Sequence, residues 1–224
     1  MTDWVLGVET SAGEGELALL RDGALAASVG LAEGGHRGAG LVPVAKALLA
    51  AAGLRPADLA LIAVDVGPGS FTGSRVGIAF AKSLAYATSC PLAAVSSLEA
   101  RARDSATSRD GAIPPVLAVA LDARRDRFYA AAFRVEGLHL ARLFEDALFD
   151  RDELHAVLPA GAAWLGDAAD RLVRPGERVH PDALRPPSAE TVARLGQAAS
   201  GRVTPFALAP SYLRRVEAQE LRSP

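Results

Sequence analysis

Cysteine, lysine, histidine and aromatic residues are all scarce in this 224-residue sequence, and each scarcity excludes something. Cys90 is the only cysteine. No intrachain disulfide can form, and a cysteine-based zinc site would rest on one thiolate; both fit a reducing compartment. The histidines, His36, His139, His155 and His180, stand apart from one another, which disfavours a metal role for each. His36, just ahead of the first expected helix, reads as a cap. Only Lys46 and Lys82 are lysine, so 22 of the 24 basic residues are arginine. With so much alanine, this is a mark of genome base composition before it is one of function. The net charge of -2 and a pI near 6.1 oppose a globally basic nucleic-acid binder, though not a local basic patch. No run of about 18 apolar residues occurs, so no membrane span is expected. The best stretch, 76–87, is broken by Lys82. Asp3, Glu9 and Glu14 interrupt the N-terminus, so no signal peptide is expected and the location expected is cytoplasmic.

What is present reads as a globular α/β protein. Half the residues are hydrophobic and 22% are charged. Aromatics contribute only 5%, so the core is aliphatic. The length corresponds to between one and two domains of roughly 150 residues. Trp4–Val8, Glu16–Leu20 and Ala24–Val29 read as three strands, the last two joined by an Asp22-Gly23 hairpin signal. A helix over 38–52 follows, with Leu41, Val44, Ala45, Leu48 and Leu49 at helical spacing and Gly53 past its end. Then come a strand at 59–66, a glycine-rich turn, a helix to Thr88, a strand at 91–95 and a helix from Ser96. The polar stretch 105–115 suggests a boundary, which places one domain at 1–108 and a second at 109–224. The second half restarts with strands at 116–121, 128–135 and about 138–144, a helix at 150–157, a strand at 162–165 and a helix at 188–200 capped by Ser188. Both halves thus begin βββ and continue αβα. No sequence repeat accompanies that shared order, which suggests an old duplication.

The most informative segment is Gly67-Pro-Gly-Ser-Phe-Thr-Gly-Ser-Arg-Val-Gly77. A glycine-rich turn between a strand and a helix can aim backbone N–H groups at an anion. It lacks the Gly-Lys-Ser/Thr of a P-loop, and it equally suits a tight turn with Ser70 or Thr72 as N-cap. Gly73, Gly77, Ala81 and Ala85 then form a smooth stripe at four-residue spacing. Two helical glycines cost roughly 1 kcal/mol each relative to alanine, so close packing should offset them. The stripe fits either this chain's own sheet or a helix of a partner.

Leu6-Gly-Val-Glu-Thr-Ser11 resembles the first strand of the actin/hexokinase/Hsp70-type (ASKHA, ribonuclease H-like) fold. The long glycine motif, Asp122-Ala-Arg-Arg-Asp-Arg-Phe-Tyr-Ala130 and Pro210-Ser-Tyr-Leu-Arg214 together resemble the bacterial TsaB (YeaZ-type) family of tRNA threonylcarbamoyladenosine biosynthesis. The resemblance implies two tandem actin-like domains, each a mixed sheet in βββαβα order. It also implies a non-catalytic subunit that pairs with a metal-dependent paralogue, TsaD, and supports recruitment of a small ATPase, TsaE. A homodimer when alone, and tRNA contact within the complex, are further implied partners. The interface would lie on the helix pair: Leu41, Val44 and Leu48 on the first helix, and Gly73, Val76, Gly77, Phe80, Ala81 and Leu84 on the second. Gly77→Leu should then break the heterodimer while the chain stays folded.

The nucleotide cleft of such a fold would be degenerate here. Glu9, Thr10 and Ser11 form the first hairpin, where Glu9, Glu14 and Glu16 place negative charge against a phosphate. Gly67, Gly69 and Ser70 form the turn. Asp122 and Arg124 stand in the second hairpin without its glycines, and Gly166 is a lone glycine in the adenosine pocket. No cofactor is expected to bind tightly; ADP or ATP would be held weakly, within the complex. The paralogue's metal-binding histidines correspond to Ser97 and Arg101, and an arginine cannot ligate a metal, so neither a metal site nor a catalytic residue is expected. Arg124, Arg125 and Arg127 could contact tRNA phosphates or a partner carboxylate, or form a surface turn paired with Asp122 and Asp126, which is slightly favoured. The alternatives are a stand-alone actin-fold ATPase or kinase, and an M22-type peptidase, which the absence of a Gly-x-Ser-x-Gly elbow disfavours.

Overall fold

A computed structural model describes residues 3–31, 40–107, 114–137 and 139–213. His36 and Arg214, each given a role above, lie outside the described residues. The chain divides into two compact units, Met1–Ala100 with Pro186–Ser211, and Arg101–Arg185 with Tyr212–Pro224. The fold class is the one expected, α/β with two mixed five-stranded sheets. The division differs from the expected break at 108/109. The chain changes unit inside a helix at Ala100/Arg101, and residues 186–211 return to the first unit.

In the first unit, β1 (Trp4–Glu9), β2 (Glu16–Arg21) and β3 (Ala24–Gly30) form an antiparallel meander. Asp22 and Gly23 turn the second hairpin, both with positive φ. This is the geometry that matches strand twist in a two-residue loop. After α1 (Leu41–Ala51), β4 (Leu61–Asp65) pairs parallel with β1. After α2 (Phe71–Thr88), β5 (Leu92–Val95) pairs parallel with β4. The sheet order is β3-β2-β1-β4-β5. β1 and β4 are buried on both faces and read as apolar runs up to their terminal acids, Glu9 and Asp65.

The two faces of this sheet have separate cores. Leu6, Val8, Ile62 and Val64 pack with α1 and α2. Val5, Ala63, Ala93 and Val95 pack with Val192 and Ala193 of α6 (Ala189–Ala198). Ser188 caps α6 by accepting from the Thr191 N–H. The helix sits so close that a Cβ on Gly7 would come within 2.1 Å of the Ala189 carbonyl oxygen. Beyond α6, Val203 bridges the edge of β5 and the Ser211 N–H donates to the Val66 carbonyl.

α3 (Ser97–Thr107) starts in the first unit and ends in the second. The second unit repeats the topology. β6 (Val116–Asp122), β7 (Phe128–Glu136) and β8 (His139–Phe149) form an antiparallel meander. α4 (Arg151–Val157) leads to β9 (Ala163–Leu165), which pairs parallel with β6. α5 (Ala169–Leu172) leads to β10 (Arg178–Val179), parallel to β9. The order β8-β7-β6-β9-β10 mirrors that of the first sheet. The short α5 and β10 were not foreseen, and β8 runs five residues beyond the expected Phe144.

Candidate functional site

Strand register brings the hairpin and the glycine-rich turn to one corner of the first unit. Val8 pairs with Val64, so Glu9 and Asp65 stand side by side at the ends of neighbouring parallel strands. Both are buried, at 1% and 0% exposure. Ser11 Oγ lies 2.9 Å from Glu9 Oε1, 2.8 Å from Asp65 Oδ2 and 2.9 Å from the hydroxyl of Ser97, the first residue of α3. Backbone donors complete the cluster: Ala12 N–H to Glu9 at 2.8 Å and Gly67 N–H to Asp65 at 2.7 Å. Burial, reinforced by the neighbouring Asp65, pushes the Glu9 carboxyl up to about 8. The shift favours the protonated form of Glu9 at neutral pH. Glu16 is also turned inward, its Oε2 accepting from the Ala189 N–H at the start of α6.

Three donors of the glycine-rich turn, the Gly67, Ser70 and Gly73 N–H groups, bond within the chain. Ser70 is the N-cap of α2, its hydroxyl accepting from the Gly73 N–H. The Ser70 N–H donates to the Ser11 carbonyl at 2.7 Å. Thr10 Oγ1 donates to the Gly73 carbonyl at 2.8 Å. The turn thus behaves as a cap and a tie to the β1–β2 loop. Sequence reasoning placed Glu9, Thr10, Ser11, Gly67, Gly69 and Ser70 together, and the structure does so. It missed Asp65, although that residue ends an apolar strand just before the turn, as Glu9 ends β1.

The smooth stripe of α2 has its explanation within the chain. Gly73, Gly77, Ala81 and Ala85 are buried. A Cβ on Gly73 would come within 1.9 Å of the Thr10 carbonyl oxygen, and one on Gly77 within 2.2 Å of Thr10 Oγ1. Leu41 and Leu48 are buried in the same core, with Val44, Val76, Phe80 and Leu84 partly buried against it. Of the residues expected at an interface, Leu41, Leu48, Gly73, Gly77 and Ala81 are buried within this chain, and close approach of the Thr10 loop needs the two glycines there. The outward faces carry other residues. Val42 on α1 is exposed, as are Phe71 (66%) and Tyr86 (74%) on α2, and Phe206 (86%) beyond α6. The Arg75 guanidinium lies 3.5 Å over the Phe71 ring. Tyr86 and Phe206, with Lys82, Ser83 and Pro205, line a shallow groove.

In the second unit, Asp122 ends β6 and its Oδ1 accepts from the Arg124 N–H at 2.9 Å. The Asp122 N–H donates to Asp167 Oδ1, and a Cβ on Gly166 would meet the Ala120 carbonyl at 2.0 Å. Arg124, Arg125 and Asp126 all have positive φ. Arg171 of α5 lies 3.4 Å from the Asp122 carboxylate and 2.8 Å from that of Asp126. Among the described residues no three His, Cys, Asp or Glu side chains meet as a metal ion would need. No described helix is long and apolar enough to cross a membrane.

Comparison with known proteins adds to this geometry. Residues 32–163 match the family described as TsaD, tRNA N6-adenosine threonylcarbamoyltransferase. The tRNA threonylcarbamoyladenosine biosynthesis protein TsaB of Bacillus subtilis is 33% identical over 142 residues, covering 63% of this chain and 60% of that protein. The tRNA N6-adenosine threonylcarbamoyltransferase of Chlorobium luteolum is 29% identical over 194 residues, covering 77% of this chain and 55% of that one. The chain thus spans little more than half the length of these curated relatives. The solved structure of YeaZ from Pseudomonas aeruginosa superimposes with a TM-score of 0.78 at 26% identity, covering 94% of this chain and 100% of that one.

Proposed function

Because the chain belongs to the TsaD family, on its TsaB/YeaZ side, we propose that it acts in forming threonylcarbamoyladenosine in tRNA as the non-catalytic partner of a TsaD-like subunit. The observation that carries this reading is the inward use of the first-unit site. Glu9 is buried, the Ser70 hydroxyl caps its own helix, and the Gly67 and Ser70 N–H groups bond within the chain. A phosphate cradle needs such donors turned outward. The partner would dock on the exposed face of α2, along Phe71, Arg75, Ala79, Ser83 and Tyr86, with Val42 of α1 beside it. The pair would then support recruitment of a TsaE-like ATPase. The same face would serve a homodimer when the chain is alone, and ADP or ATP, where held, would be held weakly within the complex.

Reconstitution tests the reading. Threonylcarbamoyl transfer to tRNA is followed with a cognate catalytic subunit and its ATPase, with and without this chain, and with this chain alone. Product is expected only when the chain joins the catalytic subunit, and none from the chain alone. An equal rate without it, or magnesium-dependent ATP turnover by the isolated chain that Glu9→Gln abolishes, overturns the proposal in favour of a stand-alone ATPase. Ala79→Arg, on the exposed face, should leave the melting temperature unchanged and abolish co-elution with the catalytic subunit.

A further inference from the structure

The corner formed by Glu9, Ser11, Asp65 and Ser97 holds more hydrogen-bond contacts than its hydroxyl protons can make. Ser97 gives its single proton to Asp65 Oδ1, 2.5 Å away. Ser11 also has one proton, yet its Oγ lies within hydrogen-bond distance of Glu9 Oε1, Asp65 Oδ2 and the Ser97 hydroxyl, so at least one carboxyl contact must be made by a carboxyl's own proton. If Ser11 donates to Asp65, the contact with Glu9 needs a proton on Glu9. If it donates to Glu9, the contact with Asp65 needs a proton on Asp65. With water excluded at both carboxyls, two ionised groups in adjacent register would repel each other in a low-dielectric setting.

The strands beneath these groups are held by the sheet ladder, and the turn and the start of α3 are tied to them by single hydrogen bonds. Asp65 holds the Gly67 N–H, the Ser11 carbonyl holds the Ser70 N–H, and the Gly67 carbonyl holds the Ser97 N–H. We infer that one proton shared between Glu9 and Asp65 through Ser11 latches the glycine-rich turn, and that losing it as pH rises loosens residues 66–71.

Among the described residues, α2 carries Arg75, which lies over the Phe71 ring, and Lys82, which donates to the Leu208 carbonyl, and α3 carries Arg103 and Asp104. Glu16 of β2 is held by the Ala189 N–H, and Glu190 of α6 pairs with Arg194. Glu14 lies in the β1–β2 loop, and α3 carries Glu99 and, one turn beyond Ser97, Arg101, which donates to the Arg185 carbonyl. The sign follows from a carboxyl held above its ordinary value. The closed latch binds a proton that the open one releases, so closure is firm below about 4.5 and weakens progressively up to about 8, where it levels.

The test is amide hydrogen exchange of the full chain by NMR between pH 5.5 and 8, corrected for intrinsic exchange. Protection of the Gly67 and Ser70 amides should fall roughly tenfold per pH unit, while that of Leu6 in β1 stays constant. Asp65→Asn should abolish the dependence. Its amide can donate to Ser11 while its carbonyl accepts from Gly67 and Ser97, leaving Ser11 to donate to an ionised Glu9. Glu9→Gln removes the titrating group and should also flatten the profile. A flat wild-type profile, or a wild-type slope retained in the folded variants, overturns the inference. So does a carbon-13 titration of the wild-type Glu9 carboxyl in the ordinary acid range.

Discussion

Gly77 shows how one residue can carry two meanings in a sequence and one in a fold. A glycine four residues from another on a helix invites a second helix, yet here Thr10 of the same chain occupies the space, 2.2 Å from where a Cβ would stand. Gly77→Leu is therefore expected to destabilise the isolated chain by about 2–3 kcal/mol or more, because the Thr10 loop cannot move without breaking its bond to the Gly73 carbonyl. Urea denaturation of the chain without any partner checks this. An unchanged midpoint would return the stripe to the interface. The carboxyl pair makes a similar point. Glu9 was visible in the sequence as a charge at the end of an apolar strand, but its raised pKa comes first from burial and then from Asp65, and only the tertiary structure supplies either.

The elements themselves were largely legible. Helix boundaries at Ser70, Asp150 and Ser188 follow from side chains that can satisfy orphan N–H groups, and each is a cap in the structure. At α4 the cap is reciprocal: Asp150 accepts from the Glu153 N–H and Glu153 accepts from the Asp150 N–H. Asp150→Ala should cost about 1 kcal/mol, read as a lowered denaturation midpoint with an unchanged slope. The elements that escaped reading are short. α5 has four residues and β10 two, too few for a hydrophobic period to register, and both depend on contacts made by β9.

At the scale of the whole molecule, two sheets repeat one strand order, which the shared βββ openings of the halves anticipated. The chain nevertheless does not divide where its composition changes. α6 follows the second unit in sequence and covers a face of the first, packing Val192 and Ala193 on Val5, Ala63 and Ala93. A chain ending at Arg185 should lose that cover, expose apolar surface on the first sheet and no longer melt cooperatively as the full chain does. Calorimetry and dye binding on the truncated protein test this; a first unit as stable as in the full chain would show α6 to be dispensable. By itself the sequence determined the fold class and the order of the longer strands and helices, because hydrophobic period, caps and turn residues act over a few neighbours. Only the tertiary structure decided which face of α2 turned inward, which sheet α6 joined and which acid came to lie beside Glu9. A periodic apolar stripe specifies that a face is buried, not what buries it, and contacts across fifty or more residues leave no local trace.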